Sequence, residues 1–247
     1  MVQAADRAQG AAGLALQTYP APLRLPGRLL AVEGIDGSGK STHMELLRAW
    51  LCAAGHTVHL TSWNSSALVH QALRQAKRAR ALTPRTFSLM HAADLADRFE
   101  QQILPHLRVG HLVLADRWVY TAMARDAARG LDPDWVRRLY AMVPRPDLTV
   151  FFRVPVDVAL ARIRAGRGEP GYHEAGLDLK LSTDPAESYR IFQQRVLDRY
   201  DAMVEAEGLA VIDATQPARV QQAQFRELAG AALAGYGPAP PPSHAAG

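Results

Sequence analysis

One cysteine, Cys52, stands in 247 residues, so no disulfide can close within the chain. It sits between Leu51 and Ala53 and reads as core filler rather than a nucleophile. No apolar run approaches the roughly 18 residues that suggest a membrane span. The first residues lack a basic segment followed by an apolar stretch, so no secretory signal is expected. No internal repeat is visible, and no Cys/His set has metal-ligand spacing. Aromatics make up only 7% of the chain. The densest basic run, Arg74, Lys77, Arg78 and Arg80, has none interleaved, and it reads as a solvated helix face rather than a nucleic-acid surface. A net charge of +4 then needs only a cleft for phosphates and scattered arginines. These absences leave a cytoplasmic globule with no membrane and no nucleic-acid partner expected. Its 48% hydrophobic and 21% charged composition suits a proper core.

What is present is a phosphate loop. Gly34-Ile35-Asp36-Gly37-Ser38-Gly39-Lys40-Ser41, followed by Thr42, fits G-x-x-x-x-G-K-[ST]. The apolar run Leu29–Val32 before it reads as a buried strand. Met44, Leu46, Leu47, Trp50 and Leu51 behind it recur at roughly helical spacing. Glycines let backbone amides curl around phosphate oxygens, and the helix start adds unpaired N–H groups and partial positive charge. Lys40 is placed to reach the β- and γ-phosphates of a nucleoside triphosphate, and Ser41 to ligand Mg²⁺. The alternative is a glycine turn that matches by chance. A second signal is Leu112-Val113-Leu114-Ala115-Asp116-Arg117-Trp118. An apolar strand ending in a carboxylate puts Asp116 beside the phosphate loop as a metal-side residue, and Arg117 can clamp an acceptor phosphate. A strand-end salt bridge is the alternative.

Apolar runs alternate with helical segments along the chain. The expected strands are Leu29–Glu33, Thr57–Trp63, Leu112–Asp116, Leu148–Val154 and Ala210–Asp213. The expected helices are Lys40–Ala54, Ser66–Arg80, Pro84–Val109, Tyr120–Arg129, Pro133–Met142, Val156–Ala165, Pro185–Glu207 and Pro217–Ala234. Alternation of this kind predicts an α/β fold with a parallel sheet wrapped by helices. Residues 1–26 and the Pro- and Ala-rich tail 236–247 read as disordered extensions of a single 27–235 domain.

The chain resembles the thymidylate kinases, within the wider nucleoside monophosphate kinase group, from about Leu29 to Leu233. The resemblance rests on four pieces: the acidic phosphate loop; Ser88-Leu89-Met90-His91-Ala92-Ala93-Asp94; Asp116-Arg117-Trp118 with Thr121; and Pro146–Pro155 followed by Ala159-Leu160-Ala161-Arg162-Ile163. It implies a three-layer P-loop NTPase fold with a five-stranded parallel sheet and a helical lid at about 162–178. It implies a transferase of nucleotide biosynthesis, which passes the γ-phosphoryl of ATP to a nucleoside monophosphate, most simply dTMP. It also implies a homodimer. Asp36 would approach the acceptor sugar, Arg117 the acceptor phosphate, and Thr121 would line the acceptor site. Asp116 and Ser41 would place Mg²⁺. Gly37 stands where one branch of the family keeps an arginine, so Arg164 or Arg167 of the lid would bridge the transferring group; a solvated loop is the alternative for each. Val211–Thr215 resembles the strand and turn beside adenine, or is only a strand end.

The resemblance thins at the acceptor. His91 and Leu95 stand where the family has a phenylalanine that stacks on thymine and an arginine that reads it. Leucine donates no hydrogen bond. Arg98, one turn on, either reaches in or makes a surface ion pair with Glu100 or Asp94. Arg125 and Asp126 replace an aromatic and an amide. Ser62-Trp63-Asn64-Ser65 replaces an Arg-Glu-Pro-Gly loop, and 171–178 is an insert that either orders over the site or stays mobile. His91 reads as pocket lining rather than a metal ligand or general base; Trp63 and Trp118 either stack a base or cap the core. The rival functions are a same-fold kinase with another acceptor, a regulatory protein that binds ATP without turnover, and a nucleic-acid-stimulated ATPase.

Overall fold

The computed structural model describes residues 25–237. Most of the extension expected at 1–26 and of the tail expected at 236–247 lies outside them. Within them, Tyr236 is tied down, with its hydroxyl donating to the Gly110 carbonyl and its ring stacked on His56. Five strands form one all-parallel sheet: β1 (Arg28–Glu33), β2 (Val58–Ser62), β3 (Leu112–Asp116), β4 (Leu148–Arg153) and β5 (Ala210–Asp213). Their order is β2-β3-β1-β4-β5. β1 is therefore central, and its two neighbours run on in opposite directions across the sheet. Ligands of open parallel sheets lie at such a switch point, beyond the carboxyl ends of the strands. The phosphate loop leaves β1 there, and Asp116-Arg117 leaves β3 there.

All five expected strands are present, because continuous apolar runs are what a sheet covered on both faces requires. Phe151 and Phe152 show the two layers. Consecutive strand residues point to opposite faces. Phe151 stacks on Tyr200 at 4.8 Å, while Phe152 meets Phe225 edge-on at 5.4 Å. Tyr200 belongs to α8 (Pro185–Glu207) and Phe225 to α9 (Ala218–Ala232). α8 packs with α5 (Val119–Ala128) and α7 (Val156–Arg167) on one face; α9 packs with α1 (Lys40–Ala53) on the other. The short α6 (Pro133–Leu139) adjoins α5.

Three expectations are corrected. The helix expected over Ser66–Arg80 begins only at α2 (His70–Arg78), because the Ser66 hydroxyl accepts the Leu68 and Val69 N–H groups in a turn ahead of it. The helix expected over Pro84–Val109 is α3 (Pro84–Arg98) and α4 (Leu104–Arg108), joined by a π turn at Phe99–Ile103. Pro105 has no N–H and its ring crowds the carbonyl four residues back, so the helix widens just before it. Cys52 is exposed. α1 buries His43, Met44, Leu47 and Leu51, and position 52 falls outside that stripe.

Candidate active site

The phosphate loop needs left-handed backbone, and its glycines supply it at φ 86° for Gly37 and 91° for Gly39. Gly39 is the residue from which α1 starts. Gly37 has a second reason to be glycine: a Cβ there would lie 2.5 Å from the Ala159 carbonyl oxygen at the start of α7. No side chain fits at 37, so an arginine on the transferring group has to come from elsewhere. Lys40 is buried, and its ammonium donates to the carbonyls of Gly34 at 3.0 Å and Ile35 at 2.9 Å and to Ser38 Oγ at 3.2 Å. Burial, then the Arg117 charge, push its pKa down to about 8, against the pull of Asp36, Asp116 and Glu33.

Arg117 is held under strain at φ 73°, rare for a residue with a side chain. Its N–H donates to Val32 at 2.9 Å, and its guanidinium donates to the Gly34 carbonyl at 2.9 Å, to Thr121 Oγ at 3.2 Å and to the Asp36 carboxylate. Burial would raise the Asp36 pKa; Arg117, with Arg125, Lys40 and Arg167, overcomes it and holds the carboxyl at about 2. Behind Arg117 stands Glu33, fully buried at the end of β1. It accepts from the Trp118 N–H at 2.8 Å, Thr121 Oγ at 2.6 Å and the Tyr200 hydroxyl at 2.7 Å. Burial raises its pKa despite these bonds. Thr121 therefore braces Arg117 from inside and does not line the cavity. Trp118 is core, with its ring N–H on the Pro144 carbonyl at 3.0 Å.

Two cavities open here. A smaller one, about 330 Å³, is lined by Asp36, Gly37, Gly39, Lys40, Ser41, Thr42, Asp116, Arg117 and Arg167. A larger one, about 480 Å³, extends past Trp63, Asn64, Lys77 and Arg125 to the 171–174 segment. Asp36, Asp116, Arg117 and Arg167 line both. Ser41 Oγ donates to Asp116 Oδ2 at 3.3 Å, and the buried Oδ1 of Asp116 has no partner. A free carboxylate oxygen beside a serine hydroxyl at the phosphate loop fits a hard, oxygen-seeking cation.

The other expected residues separate. Arg167, at the end of α7, lines both cavities and pairs with Glu174. Arg164 is exposed and pairs with Glu169 at 3.2 Å, away from both. Arg162 ties the loops together, donating to the Ala214 carbonyl at 2.8 Å. The expected lid continues α7 as a loop with a single 3₁₀ turn at Leu177–Leu179. Arg125 lines the larger cavity with its guanidinium 5.7 Å from the Phe87 ring centre. His91 is buried between Phe87, 4.5 Å away, and Trp63, 5.3 Å away; neither ring nitrogen has a partner. Burial, then the charges of Lys77, Arg125 and Arg129, keep it neutral. Arg98 is fully buried, so its ion pair with Asp94 at 3.5 Å is internal rather than at the surface. Asp94 in turn accepts from the N–H groups of Asn64 at 3.0 Å and Ser66 at 2.9 Å, which sets the loop carrying Trp63.

Sequence reasoning missed Glu33, Lys77, Glu174 and Tyr189, whose hydroxyl donates to the Asp36 carbonyl at 2.7 Å. Glu33 had one available signal, a carboxylate closing an apolar strand one residue before the phosphate loop. Lys77 was hidden in a basic run whose other members, Arg74, Arg78 and Arg80, are exposed.

Asp126, on α5, is buried with the Ser88 hydroxyl on it, and burial raises its pKa to about 6. A raised carboxyl favours folding below its unfolded pKa, and that contribution is lost as pH rises through about 6. Asp126→Asn keeps an acceptor for Ser88 and removes the buried charge. We expect it to raise the melting temperature at pH 8 and leave it little changed at pH 4, as followed by thermal unfolding.

Comparison with known proteins yields one family. The family model described as thymidylate kinase matches residues 32–224. A probable thymidylate kinase 2 of Saccharolobus solfataricus is 42% identical over 205 residues, covering 83% of this chain and 96% of the relative. A probable thymidylate kinase of Pyrobaculum aerophilum is 31% identical over 200 residues, covering 81% and 94%. A thymidylate kinase of Thermomicrobium roseum is 33% identical over 198 residues, covering 77% and 89%.

Proposed function

The chain belongs to the thymidylate kinase family, and from that premise we propose that it transfers the γ-phosphoryl of ATP to the phosphate of thymidine monophosphate, giving ADP and thymidine diphosphate. The observation that carries this is the wall shared by the two cavities. A phosphate tail on the loop and a second phosphate in the larger cavity would meet at Asp36, Asp116, Arg117 and Arg167. Transfer breaks the bond from the γ-phosphorus to the ADP oxygen and forms one to an acceptor phosphate oxygen. Little covalent help is needed; positioning and charge neutralisation carry the rate.

In this reading the amides of Gly34–Thr42 and the Lys40 ammonium hold the triphosphate. Arg117 holds the acceptor phosphate, fixed by Gly34, Thr121 and Glu33, so that it is preorganised rather than recruited. Asp36 orients both Arg117 and the acceptor sugar. Arg167 exchanges Glu174 for the transferring phosphoryl as the segment at about 162–178 closes. Ser41 and Asp116 would hold Mg²⁺, which when bound neutralises charge on the phosphate oxygens. Residues 27–235 act as one kinase domain with that segment as lid. Two copies would pair as the homodimer that the family resemblance implies, and Leu89 on α3, 46% exposed, offers apolar surface for it. None of the described helices is long and apolar enough to cross a membrane.

The test is ADP release from ATP across a panel of nucleoside monophosphates. Thymidylate should give the highest kcat/KM. Activity with another acceptor and none with thymidylate overturns the acceptor; ATP binding without ADP from any monophosphate overturns the kinase reading.

A further inference from the structure

Leu95 is completely buried in the core and offers the acceptor base no donor. The cavity wall around the base end is nonetheless full of unsatisfied polar groups. Trp63 Nε1, Asn64 Oδ1, Arg125 Nε, His173 Nε2 and both nitrogens of His91 are buried without hydrogen-bond partners. The cations nearby are mostly committed: Lys40 to loop carbonyls, Arg117 to Asp36, Arg129 to Asp178 and Arg167 to Glu174. Lys77 is not. Among the described residues its ammonium has no carboxylate, carbonyl or hydroxyl partner. It lines the larger cavity and stands 5.2 Å from the Phe87 ring centre. A half-buried ammonium facing a cavity with no acceptor is costly, and a ligand oxygen would relieve it.

Position decides which oxygen. Lys77 stands 5.2 Å from the Phe87 ring centre, with Arg125 5.7 Å from the same ring, and Phe87 packs on His91 at 4.5 Å, so the Lys77 ammonium faces the ring-lined end of the larger cavity. We propose that Lys77 reads the acceptor base, donating from its ammonium to a ring carbonyl, and so selects an oxo-pyrimidine such as thymine over an amino-pyrimidine such as cytosine. This rests on the monophosphate-acceptor reading above and supplies the donor that position 95 lacks. α2 thereby takes over a task that the family resemblance assigns to α3.

Burial, then Arg125 of α5 and Arg129 just after it, lower the Lys77 pKa to about 7, against Asp94 of α3 and Asp36 of the phosphate loop; His91, kept neutral, and His173 pack on the same Phe87 ring. The charged donor is thus partly lost as pH rises above about 7, and thymidylate affinity falls with it.

The experiment is calorimetric binding of thymidylate, deoxyuridylate and deoxycytidylate to the full chain as wild type, K77M and K77R, with turnover measured in parallel. The wild type should prefer the two oxo-pyrimidines. K77M should lose about 10- to 100-fold in thymidylate affinity, as a charged hydrogen bond would. Its oxo-to-amino ratio should approach one while kcat changes little. K77R should restore part of the ratio and flatten the pH dependence. An unchanged ratio in K77M overturns the proposal. So does equal weakening of all three ligands, which would place Lys77 on the shared phosphate, or a fall in kcat with KM unchanged. A wild type that binds thymidylate with the oxo preference but forms no ADP defeats the phosphotransfer reading alone; a wild type with no preference defeats Lys77.

Discussion

Lys40→Ala abolishes turnover in the expected result, with kcat falling by at least about 10²–10³-fold while the protein stays folded. The buried ammonium already bonds the loop carbonyls of Gly34 and Ile35 and the Ser38 hydroxyl, so it stands inside the loop rather than above it. Phosphate oxygens arriving in the smaller cavity would meet a buried ammonium that exchanges a loop carbonyl or the Ser38 hydroxyl for a charged oxygen, with little bulk hydration to lose. Removing it takes away a charge where negative charge is concentrated, in a site partly closed to water, where such interactions are strongest. The loop itself should survive, because Arg117 also donates to the Gly34 carbonyl and the glycine backbone is independent of Lys40. Saturating-ATP kinetics read the loss, and circular dichroism with a thermal melt reads the fold. A variant with wild-type kcat refutes the role; a variant that melts early without losing kcat makes Lys40 a loop brace and no more.

The phosphate loop, the five strands and their parallel arrangement were legible because each is a local pattern: a spaced glycine motif, and apolar runs bounded by turns. The carboxyl-end clustering of Asp36, Asp116 and Arg117 followed from the same patterns. What stayed hidden depends on which side of an element faces inward. Arg74, Lys77, Arg78 and Arg80 are alike as letters, but only Lys77 turns towards the cavity, beside the Phe87 ring of a different helix. Arg98 read either as reaching into the acceptor site or as a surface ion pair, yet Thr61 and Asp94 surround it in the interior, and its work is to hold the loop that carries Trp63. Thr121 looked like cavity lining and instead meets Glu33 and Tyr200, residues 88 and 79 positions away in sequence. Such partners are chosen by tertiary packing, and periodicity carries no trace of them. Pro105 was visible and its effect on the long helix follows from its missing N–H.

Arg167 is the second large effect. Arg164 and Arg167 were equivalent in the sequence as lid arginines; in the structure α7 runs on past the expected Ala165 and carries both, three residues apart. The structure separates them by environment: Arg167 lines both cavities, whereas Arg164 is exposed on Glu169. Gly37 closes the other route, since a Cβ there would strike the Ala159 carbonyl at 2.5 Å. A single arginine then has to supply the charge on the transferring phosphoryl, and in related transfers such an arginine is worth roughly 10³–10⁵ in rate. Arg167→Ala should therefore lower kcat into that range with a smaller change in thymidylate KM, because the charge it meets is greatest in the transition state. Arg164→Ala should stay near wild type. Arg167→Lys should recover only part of the loss, since a point charge lacks the planar fork. Glu174 shapes the same balance: it holds Arg167 in the free protein, and Glu174→Gln should weaken that hold and leave catalysis in place. Steady-state kinetics on the four variants decide the matter, and a deep fall in Arg164→Ala beside an active Arg167→Ala would move the role one turn back along α7.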